Sequence, residues 1–234
     1  MSPHSGLRNP QECCGPVLTD TVEDYLKCIF TFSSRDEPAM TTALAEQLGV
    51  APPSVSAMLK RLDSHQLTTR PDGHHVELTP HGLRHALDVV RRHRLLEEFL
   101  VRVLDVPWDE VHVEAEALEH ALSDRLTERI DDYLGRPSHD PHGDPIPSGR
   151  SQHVERWARP LIQAGPGDRF RVERISDRDS AALRYLGSLG IRPGATLEVG
   201  EQVPFGGPLW VTVDGGAQQA LGTALAAIVH GEVW

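Results

Sequence analysis

The spacing of the apolar residues changes along this chain, and that change limits the fold to one with separate helical and strand-forming parts. In "LTDTVEDYLKCIFTF" (residues 18–32) they recur at i, i+3, i+4, i+7 and i+8, the period of an amphipathic helix. Near the C-terminus, "RFRVERI", "ATLEVGEQ", "LWVTVDG" and "AAIVHG" alternate as short strands do, around one helix in "DSAALRYLGSLG". The pattern predicts a mainly α protein whose C-terminal part is a small β-barrel.

A stretch rich in Pro, Gly, Asp and Ser separates these parts, from "RPSHDPHGDPIPSGR" (136–150) to "QAGPGD" (163–168). This composition is typical of a linker, so His139 and His142 are expected to be solvated loop residues. At the other end, Cys13 and Cys14 lie in a segment expected to be a disordered tail. A metal or redox pair is the alternative for these two thiols.

Charge and hydropathy exclude some classes of protein. A net charge of −11 argues against broad, non-specific binding of nucleic acid, although it allows a small basic patch. The sequence has neither a membrane-spanning apolar stretch nor the apolar core of a signal peptide. Three cysteines provide no disulfide framework, which fits a reducing compartment, so a cytoplasmic protein is expected.

Two short helices joined by a turn are predicted in "TTALAEQLGVAPPSVSAMLKRLDSHQL" (41–67), the pattern of a helix-turn-helix unit. The second helix directs small side chains and two cations outward, which suits close approach to DNA and its phosphates. The residues expected to contact DNA are Ala51, Pro53, Ser54, Ser56, Lys60 and Arg61. A generic helical hairpin is the alternative.

The next segment favours the DNA-binding interpretation. "LTTRPDGHHVELTP" (67–80) has a turn at Asp72-Gly73 between two short alternating runs, which predicts a β-hairpin with Arg70, His74 and His75 at its tip. Three helices followed by a hairpin are the winged form of the unit.

Two long helical patterns follow, "HGLRHALDVVRRHRLLEEFLVRVL" (81–104) and "VHVEAEALEH" (111–120), the second expected to continue through "SDRLTERIDDYLG" (123–135). Their apolar residues are too many for one small winged helix to cover. We therefore expect a homodimer through residues of roughly 80 to 135.

The polar face of the second long helix carries ligand-type side chains. His112, Glu116, Glu119 and His120 fall within an arc of about 100° at helical spacing. His93 and Glu97 share a face of the preceding helix, and Asp24 faces outward on the first helix. These faces either hold a divalent cation or serve solubility only.

The pattern "VEDYLKCIF … LGVAPPSVSAMLKRL … RRHRLLEEFL … VHVEAEALEHALSDRL … DPHGDPIP" resembles the diphtheria-toxin-repressor family of metal-dependent transcriptional repressors, in its manganese-responsive branch. The C-terminal part resembles the SH3-like, FeoA-like third domain of that family. The resemblance implies a disordered tail (1–18), a winged helix-turn-helix domain (19–83), a helical dimerisation and metal-binding domain (84–147), a linker (148–166) and a FeoA-type domain (167–234).

The resemblance also implies two metal sites in each subunit. A primary site takes Asp24, Glu116, Glu119 and His120, and an ancillary site takes His93, Glu97 and His112 with Asp177 from the third domain. Iron-responsive relatives have methionine and cysteine where Asp24 and Glu116 stand, and carboxylates there suit Mn²⁺. Lys27 stands where some manganese-responsive relatives carry a glutamate, which argues against a paired ion.

The expected function is manganese-dependent repression of metal-homeostasis genes at a palindromic DNA operator. Mn²⁺ is the expected cofactor, with Fe²⁺ as the alternative, and Zn²⁺, Co²⁺ or Cd²⁺ could substitute in vitro. An iron-responsive repressor, a metal-dependent hydrolase and a metal-storage protein are the competing functions. The hydrolase is disfavoured because the sequence lacks HExxH and an evident general base.

Overall fold

The computed structural model describes residues 18–148 and 156–234, which form two compact units. The first contains the described residues up to Arg91 together with those of 147–156, and the second contains residues 92–146 and 157–234. Among the described residues, no helix has the length and apolar character needed to cross a membrane. Residues 1–17 of the predicted tail, with its two cysteines, and residues 149–155 of the predicted linker lie outside the described residues.

The first unit contains three helices and a hairpin, as predicted. Its elements are α1 (Asp20–Ser34), α2 (Thr41–Gln47), α3 (Pro52–Ser64), β1 (Thr68–Thr69) and β2 (Glu77–Leu78), followed by the first part of α4 (Pro80–Leu104). The hydroxyl of Thr19 caps α1 by accepting the N–H of Val22. The apolar faces of these helices meet in one core, in which Val22, Leu26, Ile29, Leu44, Val55, Leu59 and Leu62 are fully buried.

Helices form one part of the second unit. The rest of α4 is followed by α5 (Val111–Leu118), a 3₁₀ turn (Glu119–Ala121) and α6 (Asp124–Leu134). Leu95, Leu96, Ala115, Ile130, Leu134 and Ile146 form their shared core. The prediction of one continuous helix from 111 to 135 was wrong, because Ser123 adopts an extended conformation and caps a new helix by accepting the N–H of Leu126.

The other part of the second unit is an antiparallel sheet of six strands in the order β3-β8-β4-β5-β6-β7. The strands are β3 (Arg159–Pro160), β4 (Arg169–Ile175), β5 (Thr196–Gln202), β6 (Leu209–Val213), β7 (Gln218–Leu221) and β8 (Val229–Val233), with α7 (Ser180–Ser188) and α8 (Thr223–Ile228) between them. The strand predicted for "AAIVHG" was half wrong, because its first three residues end α8.

The core of the sheet includes one residue from outside the C-terminal segment. Trp108, in the loop between α4 and α5, is buried in the same cluster as Phe170, Leu183 and Leu197. Arg184 of α7 also donates to Asp109 of that loop, with 2.8 Å between Nε and Oδ2. The loop that precedes α5 is therefore held in place by the core of the sheet and by α7. The five-part division of the chain given above stays a prediction.

Candidate metal centre

His93 lies between two buried carboxylates of the second unit. Its Nδ1 is 2.6 Å from Oε2 of Glu119, and its Nε2 is 3.0 Å from Oε1 of Glu97. Glu97 is one turn along α4, whereas Glu119 comes from the 3₁₀ turn after α5. Glu97 and Glu119 are 1% and 0% exposed. Buried carboxylates require compensating positive charge, so the solubility-only interpretation fails for these two residues.

His112 and Asp177 complete this cluster. Nδ1 of His112 lies 3.2 Å from Oε1 of Glu97 and 3.1 Å from Oδ2 of Asp177. It is also 3.1 Å from Nε2 of His93. One ligand atom from each of His93, Glu97, His112 and Asp177 lies within 4.8 Å of the others. The structure thus brings together all four residues predicted for the ancillary site.

The structure adds two residues that the sequence interpretation missed, Asp140 and His142. His142 was expected to be solvated, and that prediction was wrong, because it is fully buried with Nδ1 at 3.5 Å from Oε2 of Glu97. Its Nε2 lies 2.7 Å from the carbonyl oxygen of Trp108. Asp140 forms a further group of ligand atoms with Glu97 and His142. An Nε2–H that donates to Trp108 leaves Nδ1 directed at Glu97 as a ligand atom.

Hydrogen bonds and one glycine fix the loop that carries these residues. Asp140 accepts the N–H groups of His142 and Asp144, at 2.8 and 2.9 Å. Arg94 of α4 donates to Asp144 at 3.1 Å. Gly143 has a φ of +88°, and a Cβ there would lie 1.9 Å from the carbonyl oxygen of Glu173. The sequence signal was present in "DPHGDPIP", where two aspartates flank the histidine around a glycine, but its Pro and Gly content favoured a linker.

Charge neutralisation sets the protonation of the cluster. Burial opposes the ionised form of Glu97, but the charges and hydrogen bonds of His93, His112 and His142 hold its pKa well below the usual range. Burial would lower the pKa of His112, yet its hydrogen bonds to Asp177 and Glu97 raise it to about 11. Burial likewise opposes the charged form of His142, whose pKa the Glu97 carboxylate raises to about 10. Protons therefore occupy the positions that a cation would take, so cation binding would release them.

The residues predicted for the primary site are divided between the two units. Glu116, Glu119 and His93 form one group of ligand atoms in the second unit. Nε2 of His120 lies 3.5 Å from Oε1 of Glu119. Asp24 lies on α1 of the first unit and is half-buried. Glu119 thus contacts both a predicted primary ligand, His120, and a predicted ancillary ligand, His93.

The predicted DNA-contacting residues lie at one end and one face of α3. Ala51, Pro53, Ser54, Lys60 and Arg61 are exposed, and Ser56 is half-buried. Ser56 donates to the carbonyl of Pro52 at 3.1 Å. Pro52 and Pro53 begin the helix without N–H groups, and the N–H groups of Ser54 and Val55 both donate to the carbonyl of Ala51, at 2.9 and 3.3 Å.

The predicted wing is present as the β1–β2 hairpin, with Thr68 opposite Leu78. Asp72 accepts the N–H groups of His74 and His75 at its tip. The ring of His75 lies between Asp72 and Glu77, at 2.6 and 2.8 Å. Hydrogen bonds to Glu77 and Asp72 raise the pKa of His75.

Comparisons with known proteins match three successive segments of the chain. Residues 17–74 match the N-terminal DNA-binding domain of iron-dependent repressors, residues 79–148 match their metal-binding and dimerisation domain, and residues 159–233 match the FeoA domain. A solved manganese-dependent transcriptional repressor in complex with manganese is 44% identical, with a TM-score of 0.84 over 91% of this chain and 100% of that one. The chain belongs to the diphtheria-toxin-repressor family of metal-dependent transcriptional repressors.

Other members of this family are similar over different lengths. The manganese regulator SloR is 34% identical, with a TM-score of 0.77 over 93% of this chain and 100% of its own. The iron-dependent repressor IdeR of Mycobacterium leprae is 37% identical over 130 residues, 56% of each chain. The matched segment therefore spans little more than half of that curated relative. The family is one of DNA-binding transcriptional repressors and not of enzymes.

Proposed function

We propose that this chain is a manganese-dependent transcriptional repressor that binds a palindromic operator as a homodimer and controls genes of metal-ion homeostasis, such as those for manganese or iron uptake. The observation that carries the proposal is the donor set of the second unit. The ligand groups found among the described residues consist of carboxylate oxygens and imidazole nitrogens, and Cys28 takes part in none of them. Hard oxygen donors with imidazole suit Mn²⁺, whereas thiolates select softer ions.

Two metal sites in each subunit fit these residues. The ancillary site would take Nε2 of His93, Nδ1 of His112 and the carboxylates of Glu97 and Asp177, and the geometry favours adding Nδ1 of His142. The primary site would take Glu116, Glu119 and His120. The family resemblance adds Asp24 to the primary site, and Lys27 argues for a single ion there.

The contact between Glu119 and His93 couples the two sites in this proposal. Glu119 accepts the Nδ1–H of His93 at 2.6 Å and so directs Nε2 towards Glu97 and His112. Such an outer partner fixes the tautomer and orientation of a metal-ligating histidine. Filling the primary site would hold Glu119 in place and thereby orient the imidazole of the ancillary site.

Regulation follows from the charges of these side chains. A bound divalent cation supplies the positive charge that the clustered carboxylates need. With Asp24 held by the same ion as Glu116 and Glu119, α1 is restrained, and the DNA-binding helices lose less entropy when they bind DNA. A fixed pair of α3 helices would meet half-sites about 34 Å apart, or a multiple of that distance.

Exposed apolar side chains support the homodimer. Leu118, Leu126 and Tyr133 of the α5–α6 region are 43%, 47% and 71% exposed in the single chain. Large apolar residues grouped on one segment are typical of surfaces that bind another protein. The matched dimerisation domain covers these residues. A second copy of this chain is the partner proposed, acting in the cytoplasm, where the operator DNA is.

An iron-responsive repressor remains the second candidate, because the matched domains and the IdeR relatives are iron-dependent. The ligand type at Asp24 and Glu116 separates the two. We expect that Asp24→Met combined with Glu116→Cys shifts metal preference in operator binding from Mn²⁺ towards Fe²⁺, because it replaces two oxygen donors by sulfur. The measurement is operator binding under anaerobic conditions across concentrations of both metals, with Glu114→Cys, an exposed position on the same helix, as the control. An unaltered Mn²⁺ midpoint in the double variant would contradict the ligand assignment.

A further inference from the structure

Two arginines from different elements of the second unit contact the carboxylate of Asp144. Nη2 of Arg94 on α4 lies 3.1 Å from Oδ1 of Asp144, and Nε of Arg174 on β4 lies 3.3 Å from the same oxygen. Asp144 and Arg174 are 7% and 6% exposed. A buried carboxylate requires compensating positive charge, and Asp144 obtains it from the helix and from the sheet.

Asp144 belongs to the histidine loop, residues 140–145, which carries His142. The N–H of Asp144 donates to Oδ1 of Asp140 at 2.9 Å, and the N–H of Asp140 donates to the carbonyl of Asp144 at 3.0 Å. These two hydrogen bonds close the loop around His142, whose Nδ1 lies 3.5 Å from Oε2 of Glu97. A displacement of Asp144 would therefore move His142 away from Glu97.

The guanidinium of Arg174 has a second contact, with the indole of Trp157. Its Cζ lies 4.5 Å from the centroid of the indole ring. The ring of His230 on β8 meets the same indole edge-on, with 4.6 Å between centroids and 85° between planes. Nδ1 of His230 in turn lies 2.9 Å from the carbonyl oxygen of Ala158. Arg174 therefore contacts both the histidine loop and the chain segment that follows residues 149–155 of the predicted linker.

We propose that Arg174 is a positioning residue of the metal centre, which holds the histidine loop through Asp144 and couples that loop to Trp157. Its positioning role rests on the proposed function, with His142 as one of the manganese ligands. Arginine suits both contacts, because its Nε–H donates to a carboxylate while its planar guanidinium stacks on an aromatic ring. Loss of an outer residue that orients a metal ligand typically costs about 10–100-fold in metal affinity.

The first measurement is the affinity of the full-length chain for Mn²⁺, from electron paramagnetic resonance of the free ion. Arg174→Met should weaken the ancillary site by about tenfold or more and change the primary site much less, because Asp144 loses the charge of Arg174. Arg174→Lys should recover most of this affinity, because an ammonium group can still pair with Asp144. Arg169→Met, which removes a guanidinium 5.7 Å from the ring of Trp234 on the same strand, should match wild type.

The second measurement follows the indole N–H signals of the tryptophans by NMR while Cd²⁺, a diamagnetic ion, is added. In wild type the signals of Trp108 and Trp157 should both move, because the carbonyl of Trp108 contacts His142 and the indole of Trp157 contacts Arg174. In Arg174→Lys the Trp108 signal should still move and the Trp157 signal should not, because an ammonium group has no plane to stack on the indole. A general loss of structure would not separate the two signals.

Equal ancillary-site affinity in wild type and Arg174→Met would overturn the positioning role, and a Trp157 signal that stays still in wild type would overturn the coupling. Thermal unfolding in chelator shows whether Arg174→Met folds. If it does not, Arg174→Lys decides, and a Trp157 response equal to that of wild type overturns the proposal. A wild-type chain that binds no Mn²⁺ would overturn the proposed function itself, whereas wild-type binding with an unaffected Arg174→Met overturns only the role of Arg174.

Discussion

Removing the charge of Glu97 should destabilise the metal-free protein more than any neighbouring change of the same kind. Glu97 is 1% exposed and lies among three imidazoles, with nitrogen–oxygen distances of 3.0 Å to His93, 3.2 Å to His112 and 3.5 Å to His142. Glu97→Gln keeps the shape of the side chain but leaves buried positive charge without its partner. Breaking a buried ion pair in this way typically costs about 3–5 kcal/mol.

For Glu97→Gln we expect a loss of stability at the lower end of this range of about 3–5 kcal/mol. The imidazoles can release protons once the carboxylate charge is gone, which limits the cost to about 3 kcal/mol. For a chain of this size, that corresponds to a fall of roughly 6–12 °C in the unfolding temperature of the second unit. The control is Glu98→Gln on the same helix, where the carboxylate pairs with the exposed Arg102 at 3.2 Å. Arg102 is exposed and Glu98 is only half-buried, so breaking this pair should cost less than breaking the fully buried cluster around Glu97.

The assay is calorimetry of both variants and wild type in chelator, followed by repetition with Mn²⁺. Manganese should raise the unfolding temperature of wild type and of Glu98→Gln, and raise that of Glu97→Gln much less. If Glu97→Gln is no less stable than Glu98→Gln without metal, the charge balance described for this cluster is wrong.

Three further predictions concern the DNA contacts, the histidine loop and the wing. Arg61→Ala should weaken binding to every DNA sequence and lower the salt slope by about one unit, and an unchanged slope would place the recognition surface elsewhere. Gly143→Ala should weaken Mn²⁺ binding measured by calorimetry, because its Cβ meets the backbone at 1.9 Å, whereas Gly135→Ala has only open space around its Cβ and should keep the affinity. The raised pKa of His75 means that protonation of this ring stabilises the folded wing below about pH 6.5, and that this stabilisation is lost as the pH rises through the folded-state pKa. An NMR titration that gives His75 a pKa at or below 6.5 would contradict this.

The helices and the shared face of His93 and Glu97 were predictable because each depends on local spacing. Apolar periodicity located α1 to α4 and the wing, and the i, i+4 spacing placed His93 and Glu97 on one face of α4. Asp177 required the family resemblance, because its approach to His112 depends on how β4 ends beside α5, which periodicity does not encode.

The break after Leu118 and the burial of His142 could not be predicted in the same way. Ser123 is compatible with either a helix interior or a cap, and tertiary packing decided for the cap. The Pro and Gly content of "DPHGDPIP" favoured a linker. In the structure, however, the missing side chain of Gly143 lets this segment approach the backbone of β4, and His142 is buried as a result. Composition alone wrongly predicts solvent exposure for polar residues in such turn-rich segments, because the side chains that bury and pair with them come from distant parts of the chain.

Operator binding as a function of Mn²⁺ tests the central claim most directly. Fluorescence anisotropy of a labelled fragment from the promoter of the protein's own gene would be followed while Mn²⁺ is added to chelated protein, with Fe²⁺ titrated in parallel under anaerobic conditions. We predict tight binding only with metal, a lower midpoint for Mn²⁺ than for Fe²⁺, and full reversal by chelator. Equal affinity with and without metal would contradict metal-dependent repression, and a lower midpoint for Fe²⁺ would make the protein an iron-responsive repressor.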